Sequence, residues 1–256
     1  MIPRIVAPLT GLTVLVTRPL PQAHALADSI RSFGGEPIVF PSIAIEPCKT
    51  TTPESHDWII FVSVPAVEHG APRVGESSMA RIAAIGKATA GALSAAGLPA
   101  NVVADAPYTS EALLAHAAFN PAPGERVLIV RGGGGRETLR ETLEARGTHV
   151  TTLDVYRRVK PKLSDGEVAA LERRWADEGI DAVTATSVEA LTNLAELLTP
   201  AGRELLIRTP LIAPTRRILE AAHGLGWDAA GLITTGADDA SIVGTLARWR
   251  ARARDT

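Results

Sequence analysis

The sequence predicts an α/β protein built from two copies of one unit, each a parallel sheet flanked by helices, and three observations carry that prediction. Short β-branched runs alternate with helical periodicity along the chain, as parallel βα units require. Ordered residue matches recur at spacings of 113, 124 and 127 positions, the trace an internal duplication leaves. Apolar residues make up 46% and charged residues 21% of the 256 positions. That is enough to bury one large core or two ordinary ones, and it is not the composition of a disordered chain.

Taken in order, Thr13–Thr17 (TVLVT) is the first buried-strand candidate. After the Arg18-Pro19 turn, Leu26, Ile30 and Phe33 recur at helical spacing, and Gly34-Gly35 ends that helix in the manner of a left-handed cap. Val127–Val130 (VLIV) is a second such strand; Arg131 and four glycines follow it, then a helix carrying Leu139 and Leu143 on one face and Gly147 at its end. These two segments superimpose without a gap: Val14 on Val127, Arg18 on Arg131, Leu26 on Leu139 and Gly34 on Gly147. Asp57, Ser63, Val64 and Ala66 match Asp181, Ser187, Val188 and Ala190 at the second spacing. Ile85, Gly97 and Leu98 match Ile212, Gly224 and Leu225 at the third. The order of the copies admits either two contiguous halves or a swapped arrangement, in which the first βα unit completes the C-terminal domain. Phe40–Pro47 and Asp154–Pro161 are extended, Pro-containing stretches, placed where a swapped chain would cross between domains.

Bulk charge limits the partners. Twenty-six basic against 28 acidic residues leave a net charge of −2, without the basic excess that marks a nucleic-acid binder. Local arginines can still receive an anionic small molecule. Cys48 is the only cysteine, so there is no internal disulfide and no paired-thiolate zinc site. The six histidines are scattered, and no metal is expected. Met1-Ile-Pro-Arg4 lacks a signal-peptide pattern, and no apolar run approaches the roughly 20 residues that span a bilayer. A reduced cytoplasmic protein without membrane contact is the expectation.

The run from Arg131 through four glycines to Arg136 lies at a strand-to-helix turn, where backbone N–H groups can point at an anion. It is not a dinucleotide fingerprint, because Glu137 occupies the third glycine position, nor a P-loop, because no Gly-Lys-Ser/Thr follows. Ser63 and Ser187 each end an apolar strand and precede a helix, which suits an N-cap; neither sits in a Gly-x-Ser-x-Gly elbow. Tyr156 is one of two tyrosines; it suits either a packing role or that of a weak acid. The Arg248–Arg254 alternation reads as a solvated final helix.

Val16-Thr-Arg-Pro-Leu-Pro-Gln22, Ala84-Ile-Gly-Lys-Ala-Thr-Ala90, Val130-Arg-Gly-Gly-Gly-Gly-Arg-Glu137, Tyr156-Arg-Arg158 and Thr186-Ser-Val-Glu-Ala-Leu191, taken together over residues 12 to 249, resemble the uroporphyrinogen-III synthases. The resemblance implies the swapped arrangement: residues 1–40 with 162–256 as one domain, 49–153 as the other, and 41–48 with 154–161 as a two-stranded linker, with the site in the cleft. It implies a cyclising lyase of porphyrin and heme biosynthesis. Such an enzyme closes hydroxymethylbilane with loss of water and inversion of its last ring, without a cofactor. The substrate carries eight carboxylates, so many donors matter more than one strong catalyst. By the same resemblance Tyr156 is the acid assisting departure of the hydroxyl. Thr17, Arg18, Ser63, Gly86, Lys87, Thr89, Arg131, Gly132, Thr186, Ser187 and Thr215 are the substrate-binding positions, though Arg18 and Arg131 suit structural ion pairs as well. The pattern departs at Ala213-Pro214-Thr215-Arg216, where the first copy has Gly86-Lys-Ala-Thr89. A monomer is implied, with transient contacts to the preceding and following enzymes of the pathway. Two rival readings stay open: a nucleotide-dependent transferase using the glycine run, and a non-catalytic tetrapyrrole- or anion-binding regulatory module.

Overall fold

The structure, a computed structural model, describes residues 7–51, 55–74, 79–135 and 137–254; Met1–Arg4 and Arg136 lie outside them. In chain order the elements are β1 (Thr13–Val16), α1 (Leu20–Ser32), β2 (Glu36–Val39), β3 (Ala44–Pro47), β4 (Trp58–Phe61), α2 (Val64–Val74) and β5 (Arg81–Ala84). There follow α3 (Lys87–Ala95), β6 (Val102–Val103), α4 (Ser110–Ala115), β7 (Arg126–Gly132), α5 (Thr138–Ala145) and β8 (His149–Val159). The rest comprises α6 (Asp165–Glu178), β9 (Ala182–Thr184), α7 (Val188–Leu197), α8 (Pro200–Ile207), β10 (Leu211–Ala213), α9 (Arg216–Gly224), β11 (Gly231–Ile233) and α10 (Asp239–Arg254). Two units result: Met1–Ala44 with Val159–Thr256, and Ile45–Arg158.

The first unit is a five-stranded sheet in the order β11-β10-β9-β1-β2, parallel throughout. Its central strands β1, β9 and β10 are short and almost wholly buried, as strands covered on both faces must be. Leu15 and Val183 join the cluster beneath α6, α7, α8 and α9. Val14, Val16 and Ala182 join the opposite one, beneath α1 and α10. Arg248 and its successors ride on α10, which buries Ile242, Val243 and Leu246.

The second unit orders its strands β3-β8-β7-β4-β5-β6. From β8 to β6 they are parallel. All four residues of β4, Trp-Ile-Ile-Phe, are buried, each worth about 1.5–3 kcal/mol in transfer terms. One face packs on α2 and α3, the other on α4 and α5.

The two sheets have one topology. β2-β1-β9-β10-β11 corresponds strand for strand to β8-β7-β4-β5-β6, so the duplication is structural. Fine detail repeats with it. Gly34 and Gly147, 113 positions apart, both follow a helix at φ 84° and 85°; glycine is the residue that adopts this without strain. Asp181 accepts the Thr13 N–H at 2.7 Å and Asp57 accepts the Arg126 N–H at 2.8 Å. In each case the aspartate's own N–H donates back to the same residue's carbonyl at 2.9 Å. An aspartate just before β9 or β4 therefore locks the register of the neighbouring strand.

One sequence match needs correction. The third spacing is 129, not 127: Gly97 corresponds to Gly226, both at positive φ (77° and 85°), whereas Gly224 lies inside α9. Leu98 N–H donates to Leu93 O and Trp227 N–H to Ala222 O, which fixes the equivalence. The sequence pairing had aligned apolar residues two positions out because backbone conformation, not side-chain type, marks the helix end.

The two extended stretches lie next to each other in the six-stranded sheet. Ala44–Pro47 forms β3 on the outer edge of β8, and Cys48 N–H donates to Val155 O at 2.9 Å. The second stretch starts inside β8, which already pairs with β7 from His149 onward. Among the described residues no helix is long and apolar enough to cross a membrane.

Candidate active site

Each sheet reverses its winding once. In the six-stranded unit the reversal falls between β4 and β7, and in the five-stranded unit between β9 and β1. At such a point the helices that follow the two neighbouring strands leave toward opposite faces and open a crevice beyond the strand ends, the place where α/β sheets bind ligands. α2 packs on one face and α5 on the other. Between their starts lies a cavity of about 470 Å³, lined among others by Ser63, Tyr108, Arg131, the four glycines, Tyr156 and Arg158. Its position follows from topology alone.

Within it the glycine run forms a turn, with Gly134 at φ 75°. Arg131 does not face the cavity as a free cation. Its Nη1 is 2.9 Å from Glu137 and its Nε 3.0 Å from Asp154, with the side chain only 12% exposed. Burial works against that charge, but hydrogen bonds to Glu137 and Asp154 outweigh it and raise the Arg131 pKa. Glu137 is held below the usual carboxylate range by Arg140 and then Arg131. The residue that broke the dinucleotide fingerprint thus clamps the loop.

Tyr156 reaches the same cavity through a register shift. Arg131 pairs with Asp154 but Gly132 with Tyr156, leaving Val155 as an extra residue. A bulge turns two successive side chains to one face, and both Val155 and Tyr156 do join the cluster under α2. The ring then lies over Gly132, where a Cβ would fall 2.5 Å from Tyr156 Cζ and 2.9 Å from its hydroxyl. Tyr156 is 3% exposed. Its hydroxyl shares a hydrogen bond of 3.1 Å with Ser63 Oγ. Ser63 Oγ also accepts the Ala66 N–H at 3.2 Å, capping α2. The His69 ring, further along α2, stands 6.2 Å from the tyrosine ring.

Gly86 caps α3 with extended backbone. Lys87 Nζ stands 5.8 Å from the Tyr108 ring centroid, while Thr89 is buried in the helix's first turn. Tyr108 carries φ 60°, and the next residue, Thr109, caps α4 by accepting the Ala112 N–H at 3.2 Å. Neither Tyr108 nor Arg158 was assigned from sequence. The signal available was that Tyr108 is the other of the two tyrosines, and that Arg158 takes the third place in Tyr-Arg-Arg.

The five-stranded unit repeats these features with different occupants. Ser187 Oγ caps α7 by accepting the Ala190 N–H at 3.0 Å, and Thr186 beside it is half-buried. Thr17 must be corrected: it is fully buried and its hydroxyl donates to Thr184 O at 2.7 Å, tying β1 to β9 and leaving nothing for a ligand. Arg18 pairs with Asp239 and donates to Ala237 O at 2.9 Å, so its charge is committed in the same way as that of Arg131. Thr215 is exposed and precedes α9. With the spacing of 129 it corresponds to Gly86, and Arg216 corresponds to Lys87. The apparent departure from the repeat at 213–216 therefore came from misregistration: a cation stands at the first residue of both helices. Arg216 is exposed, and among the described residues it pairs with no carboxylate.

Among the described residues no group of three or more His, Cys, Asp or Glu could hold a metal ion. A family model described as uroporphyrinogen-III synthase HemD matches residues 24–232. The chain belongs to the uroporphyrinogen-III synthase family. The uroporphyrinogen-III synthase of Salmonella typhimurium is 32% identical over 231 residues, 84% of this chain and 92% of that one. The Escherichia coli protein of the same name is 30% identical over the same shares. In fold, the chain resembles the synthase structure from Helicobacter pylori, with a TM-score of 0.58 at 14% identity over 95% of this chain and 99% of that one. A mutant synthase from Thermus thermophilus gives a TM-score of 0.53 at 22% identity, covering 96% and 99%.

Proposed function

We propose that the protein, as a member of this family, closes the linear tetrapyrrole hydroxymethylbilane to uroporphyrinogen III, losing water and inverting the last ring. The observation that carries the assignment of roles is the Tyr156 hydroxyl held against Ser63 at the topological switch point, over a glycine that leaves it room. Ser63 Oγ already accepts from Ala66, so it can donate its own hydrogen to the tyrosine oxygen. That orientation leaves the phenolic proton free to go to the departing hydroxyl, and it supports the phenolate that remains. Loss of water produces an azafulvene, a strong electrophile. The substituted carbon of the last ring attacks it, and the spiro intermediate fragments and recloses inverted. Uncatalysed closure gives the unflipped isomer, so the enzyme's task is chiefly to impose a conformation.

Carboxylates on the substrate would be received by helix starts and cations: Ser63, Gly86 and Lys87 in one unit, Thr186, Ser187, Thr215 and Arg216 in the other. On this reading the protein acts as a cytoplasmic monomer, and its contacts with the preceding and following enzymes of the pathway are transient. Incubation with hydroxymethylbilane and isomer analysis of the product test the function. Isomer III above the uncatalysed background is expected; isomer I alone would overturn it.

A further inference from the structure

We infer that Arg158 binds a carboxylate arm of the substrate in the six-stranded unit, and that the glycine-loop arginine, Arg131, does not. The inference rests on the reading that the substrate is a polycarboxylate tetrapyrrole. Among the described residues two arginines, Arg131 and Arg158, line the cavity. Arg131 is spent: two carboxylates, Glu137 and Asp154, lie within 3.0 Å of its guanidinium, so its own charge is already neutralised. An incoming carboxylate there meets two like charges, Glu137 and Asp154, and two cations, Arg131 and Arg140, that are already paired with them.

Arg158 is the opposite case. It is exposed, and among the described residues no carboxylate pairs with it. Its neighbour Arg157 turns away to Glu46, at 2.8 Å. The register shift at Val155 that swings Tyr156 under α2 decides the direction of Arg158 too. Two residues further along β8, it falls on the face of the tyrosine, about 7 Å away along the strand. An unpaired planar fork beside the proton donor suits bidentate recognition of a carboxylate. A lysine would supply charge without that geometry.

Steady-state kinetics of Arg158→Gln, Arg158→Lys and Arg131→Gln decide the matter, together with titration of oxidised uroporphyrin, a stable octacarboxylate probe. For Arg158→Gln the expectation is a roughly tenfold rise in KM and in probe Kd, a weaker dependence of KM on salt, and a kcat within about twofold of wild type. Arg158→Lys should recover part of the loss. Both Arg158 variants should melt at the wild-type temperature, because no internal partner is removed, whereas Arg131→Gln should melt lower. An Arg158→Gln enzyme with wild-type KM, probe Kd and salt dependence overturns the inference. So does Arg131→Gln weakening the probe at unchanged stability. A wild-type protein that forms no isomer III would sink the functional reading alone, since the probe titration still decides Arg158.

Discussion

Replacing Tyr156 by Phe removes a single oxygen, and the structure sets what that oxygen does. Among the described residues its hydrogen-bond partner is Ser63 Oγ at 3.1 Å. Ser63 keeps its capping bond to Ala66 when the phenol is lost, so no buried polar atom is stranded. The stability cost is then that of one hydrogen bond, about 0.5–1.5 kcal/mol, a few degrees of melting temperature in a domain of this size. The phenyl ring still fills the space over Gly132, so no cavity opens. Catalysis should respond far more strongly, because a positioned acid contributes about 10²–10⁴ in rate. The assay is the initial rate of hydroxymethylbilane consumption under saturating substrate, with product isomers separated and melting followed on the same preparation. A kcat down at least a hundredfold with a near-native melting curve is expected. A Tyr156→Phe enzyme running at the wild-type rate would refute the assignment of the acid, and a collapse in stability would refute the packing account.

Gly132→Ala should be nearly as damaging by another route. The new Cβ would sit 2.5 Å from Tyr156 Cζ, forcing the ring off Ser63 at a cost of about 1–3 kcal/mol; kcat should fall more than KM rises, and an unaltered kcat would show that the glycine is incidental. Asp181→Ala removes the part-buried acceptor of the Thr13 N–H, so the five-stranded unit should lose about 1–2 kcal/mol. Hydrogen exchange checks this: amides of β1 and β9 should lose protection while those of β4 and β7 keep theirs. Asp238, before α10, is held below its ordinary value by the Ser241 N–H and hydroxyl. A carboxylate with a depressed folded pKa stabilises fully above its unfolded value of about 4 and loses that contribution as pH falls through the folded value. Asp238→Asn should therefore flatten the acid limb of the stability–pH curve below about pH 4. An acid limb identical to wild type contradicts the cap.

Much of the fold could be read from residues alone, for definite reasons. Val14–Val16 and Val127–Val130 are apolar at every position, which parallel strands covered on both faces require. Gly34 and Gly147 mark helix ends because a left-handed residue is needed there. The third spacing went wrong where the helix ends of α3 and α9 share a glycine conformation but the flanking apolar residues invite a pairing two positions off. Arg216 was missed for that reason. Of the candidate site, Ser63 was legible as a cap, and Tyr156 as a residue suited to packing or to acid chemistry, which the structure buries beside Ser63. Thr17 was misjudged, since β1 ends one residue earlier and its hydroxyl turns inward to β9.

By itself, then, the sequence determined the α/β class, the duplicated unit, the absence of a bulk nucleic-acid charge and the helix starts that can offer amide donors, because these follow from local periodicity, composition and capping. Tertiary structure decided the rest. Which strand β1 joins, which arginines are already neutralised, and where the extra residue in β8 turns Tyr156 and Arg158 all depend on partners far apart in the chain. Arg131 and Arg158 look alike in a list of residues. What separates them is that two carboxylates stand beside one and, among the described residues, none beside the other, and only folding brings those charges together.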